Sequence, residues 1–260
     1  MASQAHPLTR TRLGRALLGI IGVAAFVMLW KYAQSAGWAA AGTIPDPFRL
    51  PQALVDEWTS ERLMPAVLSS LIHYAWGLAI GTFLGFLVGT LAASSSLVDA
   101  LHAWLARILR PIPPLAWVVF AIAWFKVSHA GAAFVIAIGV FWVNYFATYS
   151  AVRNVDSRFY ELARAFGQNG HLRQALQVTL PGAATGIFSG IRTGIGQAWM
   201  TLIAAELLGV PGMGQEMNSA AGVGAYEVVV VYMLIISLVY TLSDTLFGFI
   251  EKRVLTWRPS

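Results

Sequence analysis

The chain has 260 residues, of which 57% are hydrophobic and only 11% are charged, and its formal net charge is +5. Soluble domains carry about 25% charged residues, so this balance excludes an ordinary soluble core and predicts an all-α integral membrane protein. The absence of cysteine excludes a disulfide framework, a thiolate nucleophile and a cysteine metal site. No basic face interleaved with aromatic residues accompanies the positive charge, which argues against a nucleic-acid partner.

About six stretches are apolar enough to predict membrane-spanning helices, since a helix of about 20 residues crosses the hydrocarbon core. They cover 14–35, 65–93, 111–128, 130–151, 183–208 and 226–250. The first follows an N-terminal tail, 1–13, and its length favours an uncleaved helix over a cleaved signal peptide. The third, PIPPLAWVVFAIAWFKVS, is short and starts among prolines, or it begins earlier, in the amphipathic run SLVDALHAWLARIL.

Glycines recur every four residues in the second and fifth predicted spans. The positions are Gly77, Gly81, Gly85 and Gly89 in the second span and Gly182, Gly186, Gly190 and Gly194 in the fifth. Four-residue spacing aligns each set along one side of its helix, where another backbone can approach closely. Helix packing is the simpler interpretation, and sliding of smooth faces during a transport cycle is the functional one.

The basic residues fall mainly on one side of the predicted spans, which places both termini in the cytoplasm. Twelve of the 17 are inside: Arg10, Arg12, Arg15, Arg107, Arg110, Arg153, Arg158, Arg164, Arg173, Lys252, Arg253 and Arg258. The outside holds Lys31, Arg49, Arg62 and Lys126, and Arg192 lies within the cytoplasmic half of the fifth span.

The sequence carries no catalytic or nucleotide-binding pattern. The five histidines are scattered, and neither a phosphate-binding GxxxxGK(S/T) loop, an HExxH pair nor a GxSxG elbow occurs. An enzyme acting within the membrane is therefore disfavoured, and no metal site is expected. Arg192, Glu206 and Asp244 lie within spans, where charges are costly, so each is a candidate for gating or for a packing ion pair.

One polar stretch, ELARAFGQNGHLRQALQVTLP, stands out between the fourth and fifth spans. Glu161 and Arg164 are helix neighbours, Gly167 and Gly170 interrupt the helix, and Pro181 can begin the next one. The pattern predicts two short cytoplasmic helices joined by a glycine turn. Apolar side chains accompany the charges: Leu162, Ala163, Phe166, Leu172 and Leu176. An ordered element with an apolar side outside the membrane indicates docking to another protein.

This stretch resembles the EAA loop of permease subunits of binding-protein-dependent ABC importers. The front of that pattern is matched by Glu161, Ala163 and Gly167, and its end by Val178, Leu180 and Pro181. Leu162 replaces the first alanine, and the interval from glycine to proline is one residue longer than in the pattern.

The resemblance extends from about residue 45 to the end of the chain. The stretches PIPPLAWVVFAIAWF, YSAVRNVDSRFYELARAFG and WMTLIAAELLG are similar to the nitrate/sulfonate/taurine branch of these permeases. Three positions depart from the branch: His73 stands where arginine is common, Val143 where proline is, and Lys126 where glycine is.

The resemblance implies a type I (MetI-like) ABC importer permease in the bacterial inner membrane. A single multi-pass domain, 14–260, would carry a cytoplasmic coupling loop, 153–181, and two copies would form a homodimer. Two ABC ATPase subunits, which hold the ATP and magnesium, and a periplasmic solute-binding protein would complete the importer. The residues implied in ATPase coupling are Glu161, Leu162, Ala163, Arg164, Phe166, Gly167 and Pro181.

The expected substrate is a small anion such as nitrate, a sulfonate, taurine or bicarbonate. Polar or aromatic residues within the spans are the candidates for lining the pathway: Asn144, Arg192, Gln197, Trp199, Thr201 and Glu206. A proton-coupled secondary carrier, with Glu206 or Asp244 titrating, is the principal alternative. A membrane scaffold that transports nothing is the third hypothesis.

Overall fold

The computed structural model describes residues 11–38, 40, 42–168, 170–207 and 209–256, and its regular secondary structure is entirely helical. In chain order the helices are α1 (Arg12–Ser35), α2 (Leu50–Thr59), α3 (Leu63–Ser94), α4 (Ser96–Leu109), α5 (Val118–Phe125), α6 (His129–Arg153), α7 (Ser157–Ala165), α8 (His171–Gln174), α9 (Leu180–Glu206), α10 (Met213–Gly222) and α11 (Tyr226–Val254). Short 3₁₀ turns, Pro47–Arg49 and Pro114–Trp117, precede α2 and α5. The predicted all-α fold class is confirmed.

Helix α6 lies at the centre, with α3 against one side and α9 against the other. The glycine stripe of α3 faces α6: a Cβ added at Gly81 would lie 2.5 Å from the Ala137 carbonyl oxygen. On the other side, a Cβ at Gly186 would lie 2.6 Å from the Ala151 Cβ. These distances are shorter than carbon side chains tolerate, so the missing side chains permit the close contact of the three helices.

Polar contacts attach the outer helices to this centre. The buried Glu57 of α2 accepts hydrogen bonds from Tyr232 Oη of α11, at 3.0 Å, and from Arg62, at 2.8 Å. Near the end of α1, Lys31 binds Asp46 at 2.7 Å and lowers the pKa of that carboxyl group, chiefly through this hydrogen bond. The apolar side chains of α1 otherwise remain largely exposed.

In the described residues, four helices are long and apolar enough to cross a membrane: Leu13–Ser35 of α1, together with α3, α6 and α11. They match the predicted first, second, fourth and sixth spans closely. The fifth predicted span forms α9, whose 27 residues are long enough to cross. Helix α9 contains serine, threonine, glutamine and arginine, which make it more polar than the four helices named above. The count of six spans, and the side on which the termini lie, therefore remain predictions.

The third predicted span, over 111–128 or beginning earlier in SLVDALHAWLARIL, is bent in the structure, and it stays a prediction. Helix α5 has only eight residues, and the segment Pro114–Phe125 meets α4 at an angle of 92°. Prolines at 111, 113 and 114 cause this break, since they lack the amide hydrogens that would continue the helix. The two segments form either one broken span or a re-entrant element.

The first half of the predicted coupling loop, a helix followed by a glycine turn, is present in the structure, whereas the second half differs from the prediction. Helix α7 ends before Gly167, whose φ of +77° makes the predicted turn. The second half is not a separate helix that stops before Pro181. Helix α8 passes instead through a π-helical turn, Ala175–Thr179, directly into α9, so that Pro181 is the second residue of that helix.

Candidate functional site

Helix α7 presents an apolar surface with no covering element in the described chain. Asp156 caps the helix by accepting a hydrogen bond from the Arg158 amide at 2.9 Å. Spacings of three and four residues then bring Phe159, Leu162 and Phe166 to one side. Their exposed fractions are 57%, 56% and 76%. Such exposure of large apolar side chains outside the apolar helices indicates a contact surface.

Two hydrogen bonds hold this surface to the segment that leads into α9. Tyr160 Oη lies 3.0 Å from Thr179 Oγ1, and Gln174 Nε2 donates to the Gln168 carbonyl at 2.9 Å. Between α7 and α9 lies a groove of about 430 Å³, whose lining includes Phe166 and Pro181. Helix α7 is therefore connected to α9 through the turn Ala175–Thr179.

The charged residues of the predicted coupling set lie at the edge of the apolar surface. Glu161 and Arg164 are both exposed, and they form no ion pair with each other or with another described residue. Ala163 is half-buried and lines the groove between α7 and α9. The charges of Glu161 and Arg164 are thus available to a partner, which is compatible with the predicted orienting role.

Within the described residues, the six predicted pathway residues lie in several separate local contacts. Four are buried within the chain: Asn144, Trp199, Thr201 and Glu206. Gln197 is half-buried and donates to Thr201 Oγ1 at 3.1 Å, whereas Trp199 stacks on Tyr74 with ring centroids 4.7 Å apart. Asn144 donates to the Val140 carbonyl at 3.1 Å, next to Gly194 of α9. Their role in a pathway remains a prediction.

Arg192 is engaged by a carboxylate on another helix. Its Nε and Nη2 donate to the two carboxylate oxygens of Asp244 at 2.8 and 2.7 Å, which joins α9 to α11. The pair is the packing ion pair that the sequence left open beside a gating role. Because Asp244 balances the guanidinium charge, Arg192 alone supplies little net attraction for an anion.

A groove of about 550 Å³ runs between α6 and α9, and the sequence analysis did not identify its polar residues. Small side chains line it, among them Ser150, Asn154, Ser189 and Thr193, together with the glycine stripe of α9. Ser189 and Thr193 lie four residues apart, beside Gly190 and Gly194. That spacing was the available signal, since it places hydroxyl groups along the same helix as the stripe.

A buried polar cluster at the other end of the helices was also missed. Glu206, which is fully buried, accepts hydrogen bonds from Ser70 Oγ and from the Gly214 amide, both at 2.9 Å. His73 Nδ1 lies 2.8 Å from the same carboxyl group, within hydrogen-bonding distance. His73 Nε2 lies 2.6 Å from Nδ1 of the exposed His129.

This cluster joins four helices, of which α3 and α6 are far from α9 and α10 in the sequence. Ser70 and His73 belong to α3, His129 to α6 and Glu206 to α9, while Gly214 lies in the first turn of α10. A Cβ on Gly214 would lie 2.7 Å from the Glu206 Cβ, so this glycine permits the close approach of α10. Separations of more than 130 residues between Ser70 or His73 and Glu206 left no local pattern to recognise.

The geometry does not favour the proton-coupled carrier. Of its two candidate carboxylates, Glu206 is hydrogen-bonded to three groups and Asp244 is held by a two-point ion pair. Both have clear structural roles in joining helices. A carboxylate that takes up and releases a proton in each cycle would have to break these contacts.

Apolar helices packed around glycine stripes, with an exposed apolar surface on α7, are features of a helical membrane protein. The family model described as "Binding-protein-dependent transport system inner membrane component" matches residues 81–256. The chain therefore belongs to this family of transport permeases, and the resemblance found in the sequence is confirmed.

Similar proteins place the chain in the nitrate/sulfonate-like branch of ABC permeases. It is 29% identical to the putative aliphatic sulfonates transport permease protein SsuC of Bacillus subtilis, over 93% of this chain and 88% of that protein. It is 28% identical to the bicarbonate transport system permease protein CmpB of Synechococcus elongatus, over 95% and 92%. Identity to the nitrate import permease protein NrtB of Leptolyngbya laminosa is 31%, over 76% and 71%.

A solved structure supports the fold. A chain of the MetNI methionine ABC transporter, in an inward-facing conformation, superposes with a TM-score of 0.68 at 17% identity. The superposition covers 76% of this chain and 98% of that one. The fold is accordingly that of a MetI-like permease, as the resemblance implied.

Proposed function

We propose that this chain is the membrane subunit of an ATP-driven importer that moves a small anion across the bacterial inner membrane. A single domain, 14–260, would form the permease, and 153–181 would couple it to a separate ATPase that holds ATP and magnesium. The observation that carries the proposal is the exposed apolar surface of Phe159, Leu162 and Phe166, anchored to α9.

Coupling follows from the rigidity of this connection. The apolar side chains of α7 would enter a cleft of the ATPase, while Glu161 and Arg164 would pair at its rim. The Tyr160–Thr179 hydrogen bond and the continuous backbone from α8 would then carry ATPase movement into α9. The permease would supply two conformations, whose populations ATP binding changes.

The translocation pathway would form between two copies of the chain. The groove between α6 and α9 offers a surface of small and hydroxyl-bearing side chains, suited to a hydrated solute rather than to lipid. A second copy facing this groove would enclose it. Gln197 and Arg192 lie on the same helix and would extend the lining. A periplasmic solute-binding protein would dock at the opposite end from α7, where α2 and α10 lie.

The anion class comes from the relatives, whose names specify aliphatic sulfonates, bicarbonate and nitrate. All three are small oxyanions. Since Asp244 neutralises Arg192, a bound anion would be held mainly by neutral donors such as the Ser189 and Thr193 hydroxyls. The solute-binding protein would then contribute most of the discrimination among them.

Substitution of Phe166 tests the docking surface directly. Burying a phenylalanine contributes about 1.5–3 kcal/mol, so Phe166→Ser should weaken ATPase binding by about tenfold or more. Binding would be measured with purified permease and ATPase, and uptake with proteoliposomes that also contain the solute-binding protein. Val223→Ser, at an 82% exposed apolar position beyond α10, is the matched control and should leave ATPase binding unchanged. Equal ATPase affinity of the Phe166→Ser variant and the parent would contradict the coupling surface.

A further inference from the structure

Helix α4 carries an apolar row that no described part of the chain covers. Its members are 55–69% exposed: Leu97, Leu101, Trp104, Leu105 and Ile108. Because α4 meets the segment Pro114–Phe125 at 92°, α4 runs along the bilayer surface when that segment enters the bilayer. A surface helix with aliphatic residues and a tryptophan on one side is suited to the boundary between lipid headgroups and acyl chains.

Next to this row, a cavity of about 520 Å³ opens between α4 and the last turns of α6. Arg107 and Arg110 line one side of it, and Tyr145, Phe146 and Tyr149 line the other. The cavity thus combines cations and aromatic surfaces, and it adjoins the apolar row of the same helix.

The two guanidinium groups are positioned but not neutralised. Arg110 lies over the Phe146 ring at 4.3 Å, and Arg107 lies over the Trp104 ring at 5.1 Å. Neither forms an ion pair with a carboxylate among the described residues. Stacking on an aromatic face restricts a guanidinium while leaving its N–H groups free to donate.

Asp99, the acidic residue that lines the cavity, already has hydrogen-bond partners within the chain. Asp99 accepts hydrogen bonds from Arg153 Nη1 and from Tyr149 Oη, both at 2.9 Å. Its charge is therefore balanced by Arg153, and the charges of Arg107 and Arg110 remain in excess. The cavity is suited to an anion that can accept several N–H donors at once.

We propose that this cavity binds the phosphate-bearing headgroup of an anionic phospholipid, whose acyl chains lie along the apolar row of α4. The phosphate oxygens would accept paired N–H bonds from Arg107 and Arg110, a geometry that guanidinium groups favour. Leu101, Leu105 and Ile108 would contact the chains. This site is separate from the groove between α6 and α9, so its ligand differs from the transported solute.

Lipid binding to the delipidated full-length chain in detergent tests the proposal, with phosphatidylglycerol and phosphatidylcholine titrated separately under native mass spectrometry. The parent should bind phosphatidylglycerol about tenfold more tightly than phosphatidylcholine. The Arg107→Gln/Arg110→Gln variant should lose that preference. The control variant Arg158→Gln/Arg173→Gln, which removes two exposed arginines elsewhere, should keep it.

A further variant, Arg107→Lys/Arg110→Lys, keeps the charge and should retain part of the preference, which separates loss of charge from damage to folding. Equal affinity of the parent for the two lipids would overturn the proposal, as would an unchanged preference in the glutamine variant. Displacement of phosphatidylglycerol by an equal concentration of glycerol 3-phosphate would instead show a simple anion site. None of these measurements depends on ATPase or uptake, so failure of the import proposal would leave them interpretable.

Discussion

Glu206 illustrates how one side chain can hold a helical bundle together. Its carboxylate is fully buried and receives donors from α3 and α10. A carboxyl group in such a place is stable only while its hydrogen-bond partners remain, because the alternative is an unsatisfied buried polar group. The ring nitrogen of His73 lies 2.8 Å from this carboxyl group.

Removing the His73 imidazole should lower the stability of the protein. We expect His73→Phe, which preserves ring shape, to lower the free energy of unfolding by about 3 kcal/mol. The control is His102→Phe, which removes one hydrogen bond, between His102 Nδ1 and Tyr145 Oη at 3.1 Å, and should cost about 1 kcal/mol. Both values would come from denaturant titrations in the same detergent. Similar decreases in the free energy of unfolding of the two variants would show that the Glu206 cluster contributes no more stability than an ordinary hydrogen bond.

The structure shows how the chain accommodates His73 and Lys126, two departures from the family pattern. His73, which the sequence analysis placed where arginine is common, still brings a ring nitrogen of α3 to 2.8 Å from Glu206 of α9. Lys126 stands where glycine is common, and its backbone keeps a glycine-like conformation, with φ +58° and ψ −166°. The sequence alone marked both positions as unusual, but only the spatial neighbours explain how the chain accommodates them.

Among the elements, the turn at Gly167 depends on backbone conformation rather than on space. Its φ is +77°, and nothing lies within 4 Å of an added Cβ. Asparagine tolerates this region, whereas a β-branched residue does so only with strain. We therefore expect Gly167→Asn to retain most ATP-dependent uptake in proteoliposomes and Gly167→Val to lose most of it, at equal membrane levels. Uptake by the Val variant equal to that of the Asn variant would show that the turn conformation is dispensable.

The π-helical turn explains the unusual length of the same segment. A π turn accommodates one more residue than the α-helical turn it replaces. The turn Ala175–Thr179 can thus absorb the extra residue between Gly167 and Pro181, without rotating α9 relative to α7. Sequence patterns predicted α7 and the glycine turn, because both depend on local residues. They could not predict the π turn, because the Tyr160–Thr179 contact that accompanies it is tertiary.

For the whole molecule, hydropathy predicted four spans well because α1, α3, α6 and α11 are long, apolar and continuous. At α4 and α5 the same reasoning located the apolar run but not the bend of 92°, which the prolines introduce. The docking surface was predicted from a local polar stretch between spans. The Glu206 cluster and the lining of the α6–α9 groove were not, since both depend on which helices become neighbours.

Helix α9 is long enough to cross the bilayer. Its 27 residues extend about 40 Å, which exceeds the roughly 30 Å of the hydrocarbon core. Buried faces of α9 pack against α6, so its polar residues need not contact lipid. Helix α7 precedes α9 and α10 follows it, and these two helices therefore lie on opposite sides of the membrane only if α9 spans it.

Because the chain contains no cysteine, single cysteines can report these sides without background labelling. We expect Val223→Cys, after α10, to react with a membrane-impermeant maleimide in intact spheroplasts, and Ala165→Cys, at the end of α7, to react only after permeabilisation. Both positions are exposed, so different labelling would reflect the membrane barrier rather than burial. Reaction of both residues from the outside would mean that α9 does not cross. Reaction of Ala165→Cys alone from the outside would reverse the topology and place α7 beyond the reach of a cytoplasmic ATPase.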